Sequence, residues 1–187
     1  MDVFVDCCET SWGWLGTAAS LTGLLRVTLP LASEESARAP LLLWWPRAVQ
    51  RGNAALEVLH EKLRLYFLGR DVDLSEEVLD LRGASAFQAR VWQVVRVIPR
   101  GQVRSYGWVA SQVGSPGAAR AVGQSMANNP FPIVVPCHRV VGSRGQLTGF
   151  GGAESRHPFG GGLEMKRRLL DLEGALDADG AVLTMRR

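Results

Sequence analysis

Residues Ser105–Pro130 read SYGWVASQVGSPGAARAVGQSMANNP. Two serines each precede a short run with helical habits. Ser105 can cap a helix through Val113 that Gly114 closes. Ser115 can cap a second one, with Pro116 at the first helical position, where a missing N–H costs nothing. That second helix ends near Asn128, Asn129 and Pro130. Two short helices joined by a Gly-Ser turn predict a helix-turn-helix. The second helix carries Gly117, Ala118, Ala119, Ala121 and Gly123, with one large cation, Arg120. Such a face serves either tight helix packing or close approach to another surface. A DNA minor groove is one such surface, being narrow, and a single arginine can occupy the gap left by a base that has swung out of the stack.

Working outward, Ser85 is placed to cap a helix carrying Phe87, Val91, Trp92 and Val95 that stops before Pro99. Leu163–Glu173 predicts a last helix ended by Gly174, and Gly149–Gly162 is a glycine-rich loop. Toward the N-terminus, Trp12–Ala19 and Leu24–Leu29 read as a hairpin. Residues 33–40 read as a polar loop, and Asn53–Phe67 as an amphipathic helix ending at Gly69. Leu79–Ala86 reads as a short strand and linker. The fold class is mixed α/β (α+β), with a boundary at 82–86 that separates domains 1–83 and 84–187.

Charge divides at the same place. Residues 1–81 hold 7 Lys/Arg and 12 Asp/Glu, and the remainder holds 14 and 6. A basic half beside an acidic half fits a polyanionic partner, or ordinary surface charge. The apolar runs are too short to span a bilayer, and the acidic start lacks the basic region of a signal peptide. The expectation is a soluble cytoplasmic protein. Three cysteines, two of them adjacent, make no disulfide framework, and a reducing compartment would keep them free.

The third cysteine lies in VVPCHRVVG, Val134–Gly142, an apolar, strand-like run. Cys137 can be a packed thiol, a metal ligand or a nucleophile. A thiol attacks as thiolate and needs a base or cation to form it. His138 is adjacent, but consecutive side chains of a strand face opposite ways. The two can cooperate only if the chain turns at Pro136-Cys137 or a water bridges them. Lys166, Leu170 and Glu173 recur at i, i+4 and i+7, with Leu163 on the same side. Two charges on that stripe either snorkel at its edge, or place Glu173 behind His138 and Lys166 beside the thiol. Zinc is a weaker reading, because Cys137-His138 lacks a spaced partner pair and Cys7, Cys8 and His60 lack a fourth ligand.

NPFPIVVPCHRVVG resembles the active-site segment of the O6-alkylguanine-DNA alkyltransferases, also called methylated-DNA–protein-cysteine methyltransferases. The resemblance runs from Phe87 through FQARVWQVVRVIPRGQVRSYGWVASQVGSPGAARAVGQSMANNP to GLEMKRRLLDLEG, ending at Gly174, with a looser match in SWGWLGTAASLTGLLRVTLP. It implies an RNase-H-like N-terminal domain followed by a winged-helix DNA-binding domain. It also implies a direct, irreversible, single-turnover transfer from O6-alkylguanine in double-stranded DNA to Cys137, with O4-alkylthymine as a second candidate substrate. No cofactor or metal is implied, and a monomer reaching its lesion through the minor groove is. No phosphate loop or dinucleotide fingerprint is present in the sequence.

The same resemblance assigns roles. His138 would draw the proton from Cys137 through a water, with Glu173 orienting it. Asn129 would hold the turn before the cysteine, and Tyr106 would give a proton or hydrogen bond to guanine N3. Lys166 falls where the family has a lysine near the site. Arg120 would fill the place of the flipped base, and Ser105, Ala118, Ala119, Gly123 and Arg139 join it as DNA-binding residues. Pro132, Val140, Gly151 and Met126 would line the pocket, with the carbonyls of Cys137 and Val140 reading the exocyclic amine. The chain departs from the family after LTGFGG, where AESRHPF and extra glycines intervene and leave the alignment of Gly151 open. Two rivals remain: a Cys-His-Glu hydrolase that turns over, and a damage-recognition or regulatory protein that binds alkylated DNA without repairing it.

Overall fold

The structure is a computed structural model that describes residues 2–50, 53–148 and 162–183. It divides into two compact units, Met1–Arg82 with Pro130–Val134, and Gly83–Asn129 with Val135–Arg187.

The first unit is built on a four-stranded sheet in the order β3-β2-β1-β4. Its strands are β1 (Val3–Thr10), β2 (Gly13–Ser20), β3 (Gly23–Val27) and β4 (Val49–Gln50). β1-β2 and β2-β3 pair antiparallel, and β4 lies parallel to β1. The β2-β3 hairpin is the one the alternation predicts. The sequence does not announce β1, because its acidic residues, Asp6 and Glu9, obscure an alternation in which Val3 and Val5 are buried.

Residues 33–40 are not a loop. They open helix α1 (Glu34–Trp44), because Ser33 and Ser36 form a reciprocal capping box. Pro40 sits inside this helix. The run of polar residues that reads as a loop is the cap, the first turn and the outer face. α1 packs against β2 so closely that a Cβ on Gly16 would stand 2.3 Å from the Ala37 carbonyl oxygen. Helix α2 (Ala54–Phe67), capped by Asn53, buries Leu56, Leu59, Leu63 and Phe67 as their spacing requires. Asp80, buried at the end of this unit, accepts from the hydroxyls of Ser20 (2.6 Å) and Thr22 (2.9 Å) and pairs with Arg82.

The second unit contains α3 (Ala86–Arg96), β5 (Arg104–Ser105), α4 (Tyr106–Gln112), α5 (Ala119–Ala127), a one-turn 3₁₀ helix at Cys137–Arg139, β6 (Val140–Val141) and α6 (Gly162–Leu172). Ser85 caps α3 in a capping box with Gln88, and Ser105 caps α4 by accepting from Trp108 N at 3.1 Å. α5 begins later than the serine-proline pair suggests. Gly117 adopts φ +94°, which breaks any helix started at Pro116, so Ala118 is the N-cap and no side chain caps it. Trp92 of α3 donates its indole N–H to the Ser125 carbonyl of α5 at 3.0 Å. β5 and β6 pair in parallel, Arg104 with Val140 and Ser105 with Val141. This ladder ties the first turn of α4 to the strand that follows Cys137–Arg139. Val103, Val141, Leu170 and Ala175 form the apolar cluster beneath it.

Candidate active site

The run around Cys137 is not a continuous strand. Only Val140 and Val141 are extended and paired; Val134 and Val135 lie in a turn, although all four are buried. Proline at 136 has no N–H to give a ladder. Cys137 N donates to Val135 O and Arg139 N to Pro136 O, each at 2.8 Å. Asn129 fastens the same turn from outside, its amide donating to Val135 O at 2.8 Å. Three residues per 3₁₀ turn separate neighbouring side chains by about 120° rather than 180°. The chain thus turns at Pro136-Cys137, as cooperation between Cys137 and His138 would require.

Cys137, His138 and Glu173 are all buried. His138 Nε2 lies 2.9 Å from Glu173 Oε1. An anionic carboxylate accepts only, so Nε2 carries the hydrogen and Nδ1 is the basic nitrogen of the neutral ring. Burial lowers the His138 pKa, against the pull of Glu173. Glu173 is held well below the usual carboxylate range: its burial is outweighed by His138 and Arg139. Burial also pushes the Cys137 thiol up, opposed by a hydrogen bond from the Asn129 side chain and the charge of Lys166.

Lys166 is fully buried on α6 and donates from Nζ to the carbonyls of Val140 (2.6 Å) and Thr148 (3.0 Å). Burial brings its pKa down to about 8. Its ammonium stands 5.7 Å from the Tyr106 ring, and the Tyr106 hydroxyl donates to the same Thr148 carbonyl at 2.9 Å. Burial raises the Tyr106 pKa, so the phenol stays a proton donor.

The structure therefore gathers Cys137, His138, Glu173, Asn129, Tyr106, Lys166 and Val140. Met126 is buried on α5, Arg120 is exposed on the same helix, and a Cβ on Gly123 would lie 3.9 Å from the Tyr106 ring. Ala119 is the first residue of that helix. Pro132 belongs to the first unit, and Gly151, with the insert that follows it, lies outside the described residues. Leu163, expected on the buried stripe of α6, is 49% exposed.

Arg139 departs from the role expected of it. It is buried, and it donates from Nε to Glu173 Oε2 and from Nη2 to Glu173 Oε1, both at 2.8 Å, and from Nη1 to Ile98 O at 2.5 Å. Its charge is turned inward, onto Glu173. A signal existed in the sequence: an arginine between buried valines needs a carboxylate.

Among the described residues no three of His, Cys, Asp and Glu gather as a metal site. Cys7 and Cys8 are successive residues of β1 and point to opposite faces, while His60 Nε2 is engaged with Thr17 Oγ1 at 2.8 Å.

The sequence profile of the 6-O-methylguanine DNA methyltransferase DNA-binding domain matches residues 86–175. A methylated-DNA–protein-cysteine methyltransferase of Mycobacterium leprae is 49% identical over 121 residues, 65% of this chain and 67% of that protein. The chain belongs to the methylated-DNA–protein-cysteine methyltransferase family. The Mycolicibacterium paratuberculosis member is 52% identical over 113 residues, which span 60% of this chain and 62% of that relative's length. Similarity to a solved family member extends further. The structure of Mycobacterium tuberculosis OGT in complex with DNA matches 96% of this chain and 96% of its own, with a TM-score of 0.70 and 34% identity. Among the described residues no helix is long and apolar enough to cross a membrane.

Proposed function

We propose that this protein repairs O6-alkylguanine in DNA by moving the alkyl group irreversibly to Cys137, once per molecule. The observation that carries the reading is the buried thiol with its base: Cys137 turned beside His138, with Glu173 2.9 Å from Nε2. The Cys137 proton passes to His138 Nδ1 through a water. The thiolate then attacks the alkyl carbon, the S–C bond forms as the C–O6 bond breaks, and the guanine leaves with the bonding pair. Tyr106 supplies a hydrogen bond or proton at guanine N3, turning from Thr148 O to do so. Val140 O, which has a second lone pair beside the one Lys166 uses, reads the exocyclic amine with Cys137 O. The thioether has no leaving path, so the site is spent.

The reading extends to an RNase-H-like domain at 1–83 and a winged-helix domain at 84–187. α4 and α5 supply the helix-turn-helix, and α5 enters the minor groove with Ala118, Ala119 and Gly123 offering little bulk. Arg120, exposed on that helix, replaces the flipped base. The protein acts as a monomer in the cytoplasm, with no cofactor. The non-repairing alternative has no observation in its favour, and Cys137 next to a His138 that Glu173 engages at 2.9 Å supports transfer instead.

The test is an intact mass after incubation with a duplex carrying one O6-methylguanine, followed by peptide mapping. One methyl on the Cys137 peptide, saturating at one per molecule, is expected. Binding without any mass gain would overturn the reading.

A further inference from the structure

We propose that Arg139 is a positioning residue for the transfer, fixing the Glu173 carboxylate and balancing its charge so that His138 stays a neutral base with Nδ1 available to the thiol. The inference rests on the alkyl-transfer reading above.

Both Glu173 oxygens meet Arg139, Oε2 through Nε and Oε1 through Nη2, each at 2.8 Å. Oε1 also faces His138 Nε2. The carboxylate can therefore rotate away from neither partner. The third nitrogen, Nη1, anchors the guanidinium on Ile98 O just past α3. Such a two-point guanidinium–carboxylate pair defines direction as well as charge. The arrangement also has an electrostatic consequence. A buried glutamate with imidazole as its sole partner would draw that ring toward permanent imidazolium, and a protonated ring cannot accept the thiol proton. Arg139 offsets the charge at the point where it matters. Among the described residues, the charged groups that act on His138 are Glu173, beyond the end of α6, Arg139, in its own turn, and Lys166, on α6. Cys137 is the group it must deprotonate.

Without the guanidinium, two changes are open to the pair, and both have one sign. The buried carboxylate takes up a proton at higher pH, or the imidazole holds its own proton to higher pH. In either case the neutral base bound to an anionic orienter is lost from the acid side. The acid limb of the transfer rate then moves upward by about one pH unit or more, the scale set by loss of an adjacent opposite charge. The rate at neutral pH falls by about tenfold or more, a part of what a positioned acid–base contributes, and the gap narrows as pH rises.

The experiment measures single-turnover methyl transfer for Arg139→Met and Arg139→Lys across the pH range in which imidazole titrates. Duplex affinity and its salt dependence are measured with each change combined with Cys137→Ala. An upward shift of the acid limb, smaller in Arg139→Lys, with affinity and salt slope unchanged, is the expected result. Arg139→Lys keeps a cation and a similar length, so it remains informative if the methionine variant does not fold. A parallel loss of rate at every pH overturns the proposal, because it reports damage to the fold alone. A weaker affinity with a shallower salt slope also overturns it, and returns Arg139 to the DNA contact that the sequence suggested. If wild-type protein itself transfers no methyl group, the functional reading beneath the proposal has failed instead.

Discussion

Two stretches of this chain place a cysteine beside a second polar or reactive residue, and they differ in nearly everything else. Cys7 and Cys8 lie in the regular strand β1, where successive side chains part to opposite faces. Burial pushes their thiols up to about 11 and about 12, against the lowering charges of Arg38 and Arg64. Cys137 lies in a single 3₁₀ turn, after a proline and before two extended valines. It too is raised by burial, but Asn129 and Lys166 pull the other way and a neutral imidazole is its neighbour. Adjacent side chains stop facing opposite ways only where the backbone stops alternating.

The sharpest way to break this contrast is Cys137→Ala. Methyl transfer should vanish while duplex binding persists, as read by intact mass and by electrophoretic shift; residual methylation carried by Cys7 or Cys8 would erase the distinction. Glu173→Gln comes next. It leaves the buried Arg139 without its counter-charge, so unfolding by urea should register a loss of about 3–5 kcal/mol, with transfer slowed as well. The wild-type contribution of this carboxylate is present above the unfolded value of 4.5 and falls away as acid protonates it below, because its folded value is depressed.

Lys166→Met should have a smaller effect on stability, since a buried ammonium is costly to begin with. Transfer at neutral pH should slow by about tenfold as thiolate becomes scarcer. The sign of the pH effect is specific. Between about 8 and 10.5 the folded state binds fewer protons at Lys166 than the unfolded chain does. Wild type therefore gains stability relative to Lys166→Met as pH rises through that window, a difference that paired denaturation curves would reveal. Smallest of all are Cys7→Ala and Cys8→Ala. Neither should change transfer, and Cys8→Ala, at a buried site, should cost about 1 kcal/mol in a melting experiment.

Much of this was legible in the sequence. Helices α2, α3 and α4 follow from their caps and apolar spacing, and Glu173 and Lys166 stand out as charges on an apolar stripe. The misreadings have local causes. Residues 33–40 look like a loop because a serine capping box and a polar outer face share the composition of one. The start of α5 looks like Ser115-Pro116 because the sequence does not announce that Gly117 takes a left-handed conformation. Arg139 reads as a DNA contact because the resemblance groups it with the DNA-binding residues. Its burial, and the carboxylate that justifies it, come from a glutamate 34 residues away, which no local pattern connects. The Thr148 carbonyl shared by Tyr106 and Lys166 was equally out of reach, being backbone.

The Cys137 side chain lies in a residue only 7% exposed, and burial keeps it a thiol at rest. For an enzyme that turns over, such reticence would merely slow the reaction. A molecule that reacts once faces a different hazard, premature discharge by whatever small electrophile drifts past. Under the transfer proposed above, shielding would set its shelf life: the protein would remain unspent until a lesion reached Cys137, and repair capacity would track the damage met rather than the time elapsed.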